Sequence, residues 1–442
     1  MSEEIELKFI VHPDRVATLP DWLTDWRSDY SHAERHGSQS LTNIYYETAD
    51  NLLRRHGIGL RIRGANQRYE MTVKTAGRVV GGLHQHPEYN VELPRDELDL
   101  ARFPSDIWPP DVDPAALQQA LQPLFCTDFV RETWLVTYRQ SVIEIAFDRG
   151  EVRAGQHSEP ICELEMELKL GQADDLLALA AEMAEEDGLR QGSLSKAARG
   201  YHLARQTMPR QPYPLDILLV EPKASIDQGI ATALESALRY WQYHEELWAR
   251  GDESARQRLP QASAFMRELL VLIGGVVPRK VTTLFRAALT DLENRLAQPG
   301  GADQICYRAG YLQSKLMLAS WVIGTGWRDH LEGKARLRLQ GSFKRFADIM
   351  LGRNLAELKS VFGRRLSADE YLQQQPRLQR AVNAFLILSG AYQDEARPWV
   401  AHWQALWQAV AGPQAASPDE LEERRKQALA QAPFWPNSGA GH

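Results

Sequence analysis

From Glu4 to about Lys169, apolar and polar positions alternate with period 2 in short runs, separated by turn signals such as Gly64-Ala65-Asn66, Gly77 and Gly81-Gly82. On a strand, residues i, i+2 and i+4 share a face. Glu4, Glu6 and Lys8 therefore fall on one face of the first run, and Ile5, Leu7 and Phe9 on the other. The same sorting holds for Leu60–Arg63, Met71–Lys74, Glu88–Glu92, Glu144–Asp148 and Glu163–Leu168. Six antiparallel strands are predicted, each with one charged and one apolar face. From about Ile226 to Gly412 the spacing becomes helical, as in Ile226–Arg250, Val281–Ala297 and Arg377–Tyr392. A second, all-helical domain is predicted there.

Between the halves lies Met208-Pro-Arg-Gln-Pro-Tyr-Pro214, whose prolines can neither continue a helix nor sit in a central strand. The expected organisation is a strand domain over 1–205, a linker over 206–218, a helical domain over 219–412, and a tail over 413–442 consisting of a frayed helix and loose chain. At 442 residues, two domains of this size can each bury a core. The fold class is α+β.

The net charge of -7 conceals an asymmetry. Residues 1–214 hold 23 basic and 34 acidic groups, residues 215–442 hold 28 and 24, and residues 279–380 hold 18 and 9. The second half can thus attract a polyanion, although solvated helix faces would carry the same excess. Cys126, Cys162 and Cys306 are far apart and form no C-x-x-C pair, which excludes a disulfide framework and a cysteine zinc site. No secretory signal is readable at the start, and no apolar run reaches the ~18–20 residues that span a bilayer. A cytoplasmic protein is expected. No G-x-x-x-x-G-K-[ST] or H-E-x-x-H occurs, so a P-loop and a zincin site are excluded. Gly57-Ile58-Gly59 and Gly81-Gly82 read as hairpin connections. His84 and His86 flank such a turn and are expected to be solvated.

A sheet with one solvated polar face would account for any single strand. Here, however, acidic and basic residues segregate by strand: Glu4/Glu6, Glu88/Glu92, Glu144/Asp148 and Glu163/Glu165/Glu167 against Arg61/Arg63 and Lys74. Like charges at i, i+2 repel and call for counter-ions. A closed barrel with its charged face inward would supply them, carboxylates holding divalent metal and Arg/Lys holding an oxygen-rich anion. The helices expected over Gln172–Glu186 and Ser195–Arg205 would cover the apolar outer face.

Glu4-x-Glu6-x-Lys8, then Arg61-x-Arg63, Lys74, Arg131, Asp148, the Glu-x-Glu pair near Glu165 and Ser195-Lys196 resemble, in order over residues 4–196, the CYTH family of triphosphate tunnel metalloenzymes. The resemblance implies an eight-stranded antiparallel barrel, open at both ends, whose tunnel binds a triphosphate chain with Mg or Mn. It implies that Lys8, Arg61, Arg63, Lys74, Arg131 and Lys196 grip phosphate oxygens. It implies further that Glu4, Glu6, Glu165 and Glu167 hold a first metal, with Glu163 sharing their face and leaving the pair open. Asp148 would hold a second metal that delivers water in line with the terminal phosphorus, and Lys196 or Lys74 would assist the leaving phosphate. Glu88, Glu92 and Arg139 are weaker candidates, Arg139 lying near a hairpin turn where a rim charge is an equal reading. The implied activity is metal-dependent hydrolysis of inorganic triphosphate. The alternatives are a nucleoside or thiamine triphosphatase, an adenylate cyclase of the same class, or a non-catalytic polyphosphate-binding module.

The helical half is similar to a CHAD domain, a module linked to polyphosphate, which makes long-chain polyphosphate its expected partner and leaves no role for a specific nucleic acid or a membrane. It departs from the usual His-x-x-Arg pattern: Arg256, Arg258 and Arg267 in one copy, and Arg377 and Arg380 in the other, have no accompanying His. Pairs at Arg336/Arg338, Lys344/Arg345 and Arg364/Arg365 remain as an anion surface. Trp241, Trp248, Trp321, Trp327, Trp399, Trp403 and Trp407 sit at helical spacing and are expected in the core.

Overall fold

The computed structural model describes residues 2–26, 33–206, 209–328, 331–412 and 416–436. Met208 of the linker and residues 413–415 and 437–442 of the tail lie outside the described residues. The chain divides into two compact units. One comprises the residues up to Gln211 with Ala249–Gly251 and Gln298–Ser320; the other comprises Pro212–Trp248, Asp252–Ala297 and the chain from Trp321 onward.

The alternating runs of the first unit fold as strands β1 (Ser2–Val11), β2 (Ala33–Glu47), β3 (Gly59–Ala65), β4 (Arg68–Lys74), β5 (Arg78–Val80), β6 (Leu83–Leu93), β7 (Gln122–Tyr138), β8 (Ser141–Ala154), β9 (His157–Leu170) and β10 (Leu189–Gln191). The ladder runs β1-β9-β8-β7-β2-β3-β4-β6, and pairing of β1 with β6, from Ser2 opposite Glu88 to Leu7 opposite Leu83, closes it. The result is an eight-stranded antiparallel barrel in which closure removes the free edges. β5 and β10 are short additions on β6 and β1. The β3–β4 hairpin turns on Asn66 and Gln67, both at positive φ, as a two-residue turn of the primed type requires.

The outward residues of β2, β3, β4 and β6, among them Leu60, Ile62, Met71 and Val73, are buried under the long β6–β7 connection, through Leu100, Phe103, Trp108 and Leu117. Helices α1 (Leu19–Trp26), α2 (Leu52–Arg55), α3 (Pro114–Ala120), α4 (Ala173–Met183) and α5 (Lys196–Arg205) belong to this unit. α4 lies against β8 and β9 and buries Leu176, Leu177, Leu179, Ala180 and Met183, the cover expected for the outer face.

The helical region comprises α6 (Ile226–Ala249), α7 (Glu253–Arg256), α8 (Arg258–Leu272), α9 (Thr283–Leu296), α10 (Ala302–Ile305), α11 (Ala309–Ile323), α12 (Gly333–Leu339), α13 (Phe343–Phe362), α14 (Ala368–Leu388), α15 (Arg397–Ala411) and α16 (Pro418–Ala430). α6 buries Ile230, Ala233, Leu234, Ala237 and Trp241 at i, i+3, i+4 spacing. α14 starts nine residues before the helix that the pattern predicts, because Ser367 and Glu370 form a reciprocal capping box and Pro376 is accommodated inside the helix. Trp241, Trp248, Trp327, Trp399 and Trp403 are buried in the core as expected, whereas Trp321 and Trp407 are half-buried. The three cysteines are free.

Candidate active site in the barrel

Register fixes which side chains share the interior. Glu6 stands opposite Glu167 and Lys8 opposite Glu165 in the β1–β9 ladder; Asp148 stands opposite both Glu163 of β9 and Arg131 of β7. Glu4, Glu6, Lys8, Arg61, Arg63, Lys74, Glu88, Arg131, Glu165, Glu167 and Lys196 line one cavity of about 840 Å³, and Asp148 and Glu163 are fully buried against Arg131 and Lys196 of that lining. The structure thus brings together sequence-predicted residues from seven strands, β1, β3, β4, β6, β7, β8 and β9, and from α5.

One group of charges is fully paired. Arg131 grips Asp148 with a fork, Nε to Oδ1 and Nη2 to Oδ2 both at 2.7 Å, and reaches Glu165 Oε2 at 2.7 Å. Lys196 Nζ lies 2.7 Å from Asp148, 2.5 Å from Glu163 and 2.9 Å from Glu165. Lys8 bonds Glu165 and lies 3.3 Å from Glu163, and Arg199 Nη2 donates to Glu163 Oε2 at 2.5 Å. Burial alone would neutralise these groups, yet opposite charge wins. For Lys8, burial pulls the pKa down, but Glu163, Glu165 and Glu6 raise it well above the usual lysine value. For Glu165, burial pushes up, but Lys196, Lys8 and Arg131 hold the carboxyl well below the carboxylate range. Asp148 is likewise lowered against its burial by Lys196 and Arg131.

A second group is not balanced. Glu6, Glu167 and Glu144 stand in consecutive positions across β1, β9 and β8. Lys169 reaches Glu167 at 2.7 Å and Glu144 at 3.3 Å, while Glu6 has no hydrogen bond or ion pair among the described residues. Burial, and then the charges of Glu4 and Glu144 working against Lys169, raise the Glu167 pKa. On the cationic side, Lys74 pairs with Glu4, and Arg61 lies 3.6 Å from Glu88 and 3.5 Å from the Tyr45 hydroxyl. Arg63 donates to Asn43 Oδ1 at 2.8 Å; its pKa is lowered to about 10 by burial and by the neighbouring Arg61 and Arg131.

α5 differs from the expected outer cover. Inward positions Leu41, Tyr45, Phe125, Phe129, Val152, Ala154 and Ile161 form one buried cluster with Tyr201, joined by Ala197, Leu203 and Ala204 of that helix. Strand parity places these strand residues on the charged side of the sheet, so α5 packs on the inner face and fills one end of the barrel. The expectation of a tunnel open at both ends is corrected accordingly. Gly200 allows this approach: a Cβ there would lie 2.1 Å from the Phe125 ring. Ser195 caps the helix by accepting from Ala198 N–H, which projects Lys196 into the carboxylates.

Two weaker candidates lie elsewhere: Glu92 is exposed, opposite Glu70 in the β4–β6 ladder, and Arg139 sits in the β7–β8 turn at φ 54, bonded to Asp175 at 3.2 Å. His84 is 6% exposed and lines the cavity, contrary to the solvated position expected for it; closure of β1 against β6 turns it inward. Sequence reasoning missed Asn43, Tyr45, Lys169 and Arg199. Lys169 continues the period of Glu163, Glu165 and Glu167 and was open to the same parity argument; Arg199 lies one helical turn after Lys196.

The family comparisons match this geometry. Residues 2–201 match the model of the CYTH domain and residues 232–414 that of the CHAD domain. The chain carries a CYTH domain followed by a CHAD domain. Over 203 residues it is 39% identical to the inorganic triphosphatase of Haemophilus influenzae, a match that covers 46% of this chain and 55% of that protein. Among solved structures, a candidate adenylyl cyclase from Hippeastrum with a dominant triphosphatase activity is 16% identical, with a TM-score of 0.33, and covers 47% of this chain and 98% of its own. A structure described as an inorganic triphosphatase is 17% identical, with a TM-score of 0.17, and covers 39% of this chain and 80% of its own.

In the CYTH domain, oxygens of Asp148, Glu163 and Glu165 lie within 4.8 Å of one another and could hold a metal ion. CHAD domains are linked to polyphosphate. Among the described residues, no helix is long and apolar enough to cross a membrane.

Proposed function

We propose that the CYTH domain hydrolyses inorganic triphosphate to diphosphate and phosphate, with Mg or Mn, and that the CHAD domain recruits long-chain polyphosphate. The observation that carries the reading is the arginine cluster. Arg63 is held near pKa 10 by burial, Arg61 and Arg131, and Arg61 Nε is buried without a hydrogen-bond partner among the described residues. Arg61 and Arg131 have carboxylate neighbours, but Arg63 has no ion pair among the described residues, and a buried guanidinium of that kind favours an anion of high charge density, a need that a linear triphosphate fits. The likeness to the Haemophilus influenzae enzyme supports the same choice.

The carboxylates suit a divalent cation. Glu6, Glu167 and Glu144 face one another across three neighbouring strands with Lys169 shared between the last two, and a divalent cation would balance the carboxylate that remains. Glu4, Glu6 and Glu167 with Glu165 would hold one ion, and Asp148 and Glu163 offer further oxygens. Bound there, the metal supplies charge neutralisation and polarisation of phosphoryl oxygens. Arg61, Arg63 and Arg131 bind non-bridging oxygens as planar forks, and Lys8, Lys74 and Lys196 balance the charge that moves to the leaving diphosphate. Asp148 and Glu163 orient Arg131, Lys196 and Arg199 through the bonds described above. Water attacks the terminal phosphorus, the bond from that phosphorus to the bridging oxygen breaks, the electron pair stays on that oxygen as diphosphate leaves, and the proton lost by the water passes to solvent.

The lining favours an inorganic chain over a nucleotide. Tyr45 and Tyr201 both pack on Phe125, stacked at 4.5 Å and edge-on at 5.3 Å, and Lys196 lies over the Phe129 ring at 5.1 Å. These rings are occupied by their neighbours, not free to stack on a base. Phosphate release from inorganic triphosphate, ATP and thiamine triphosphate with Mg and with Mn tests the reading. Inorganic triphosphate should give the highest kcat/KM; a preference for ATP or thiamine triphosphate would overturn the assignment.

A further inference from the structure

We infer that His84 contacts the substrate, its imidazole Nε2 hydrogen-bonding an oxygen of the triphosphate chain between Lys8 and Lys74. The inference rests on the triphosphate reading above. His84 stands on β6 opposite Glu6 of β1 and lines the cavity. It is more than nine-tenths buried, and its Nε2 is enclosed yet has no hydrogen-bond partner among the described residues. A buried ring nitrogen left unbonded costs free energy that a bound oxygen would recover. Glu6, Lys8, His86 and Lys74 are the charged or titratable groups close enough to act on the ring, so it sits among proposed metal and phosphate residues.

An imidazole N–H is a directional donor, so it can fix the position of a phosphoryl oxygen that the ammonium groups of Lys8 and Lys74 attract without directing.

The test uses the full chain with His84→Gln, which keeps an amide N–H near the position of Nε2, and His84→Leu, which keeps the volume without a donor. With triphosphate and Mg, His84→Leu should raise KM about tenfold or more, while His84→Gln should stay within about threefold of wild type. The imidazole 15N signal that is missing from both variants should move when triphosphate is added to wild type. Equal losses in both variants with no movement of that signal would assign His84 a packing role and overturn the inference. Wild-type KM for His84→Leu would do the same. Absence of turnover in wild type would instead sink the triphosphate reading.

Discussion

In the barrel, Lys8, Asp148 and Glu163 are at most 1% exposed, and each meets opposite charge from another strand or from α5. In the helical unit Glu268 is 5% exposed, and burial raises its pKa to about 7 against the attraction of Arg380. The two regions bury similar groups with opposite outcomes. Where several cations converge, a carboxylate stays ionised well inside a protein; where one acts alone, desolvation prevails. Convergence of that kind needs strands that bring together residues more than a hundred positions apart, as Lys8 and Glu163 are. The barrel gathers its buried charges around one cavity, and Glu268 in the helical unit shows what burial does to a carboxylate that a single arginine faces.

The comparison breaks most severely if the barrel's charges are dispensable. Chelation with EDTA should abolish phosphate release from triphosphate, and Mg or Mn should restore it. Glu6→Ala should lose about 10³-fold or more in kcat with unchanged circular dichroism, because an unpaired carboxylate facing Glu167 contributes no packing. Arg63→Met should lose about 10²-fold in kcat/KM, roughly 2.7 kcal/mol of transition-state stabilisation. The same variant should melt no lower than wild type, since the guanidinium is crowded by Arg61 and Arg131 in the free protein. A cooperative loss of fold in Arg63→Met would mean that this arginine is structural.

On the helical side, Glu268 binds its proton more tightly folded than unfolded, so its contribution is present below about pH 4.5 and is lost as pH rises through about 7. A shift of that size corresponds to about 3 kcal/mol. Glu268→Gln should therefore stabilise the protein to denaturant at pH 8 and change little at pH 4.5. The smallest effect is expected from removing everything after residue 205. Turnover should stay within about threefold, with a lower melting temperature. The deleted chain includes Tyr307, whose carbonyl accepts from Gly188 N–H at 2.7 Å, and Arg308, which pairs with Asp187 at 2.6 Å.

Much of the barrel was legible because charged and apolar faces alternate over Glu4–Phe9, Leu60–Arg63, Met71–Lys74, Glu88–Glu92, Glu144–Asp148 and Glu163–Leu168, within β1, β3, β4, β6, β8 and β9. β2 and β7 were not, for a physical reason. Their inward faces change character along the strand: Leu41, Asn43 and Tyr45 in one, and Phe125, Thr127, Phe129 and Arg131 in the other. A face that begins apolar under α5 and ends charged in the cavity gives no single period of polarity. The same change explains α5, whose apolar side reads equally well as outer cover. Arg199 was hidden because its partners Glu163 and Pro160 are distant in the chain, and only the closed barrel brings them to α5.

The central claim is that Arg63, a buried guanidinium with no ion pair among the described residues, awaits a triphosphate anion, and thermal unfolding with added inorganic triphosphate in EDTA tests it without turnover. A ligand that binds only the folded state raises its stability by RT ln(1 + [L]/Kd). Triphosphate should raise the wild-type melting temperature progressively with concentration and should raise that of Arg63→Met far less. An unchanged wild-type melting temperature at saturating triphosphate, or an equal rise in both proteins, would contradict the account.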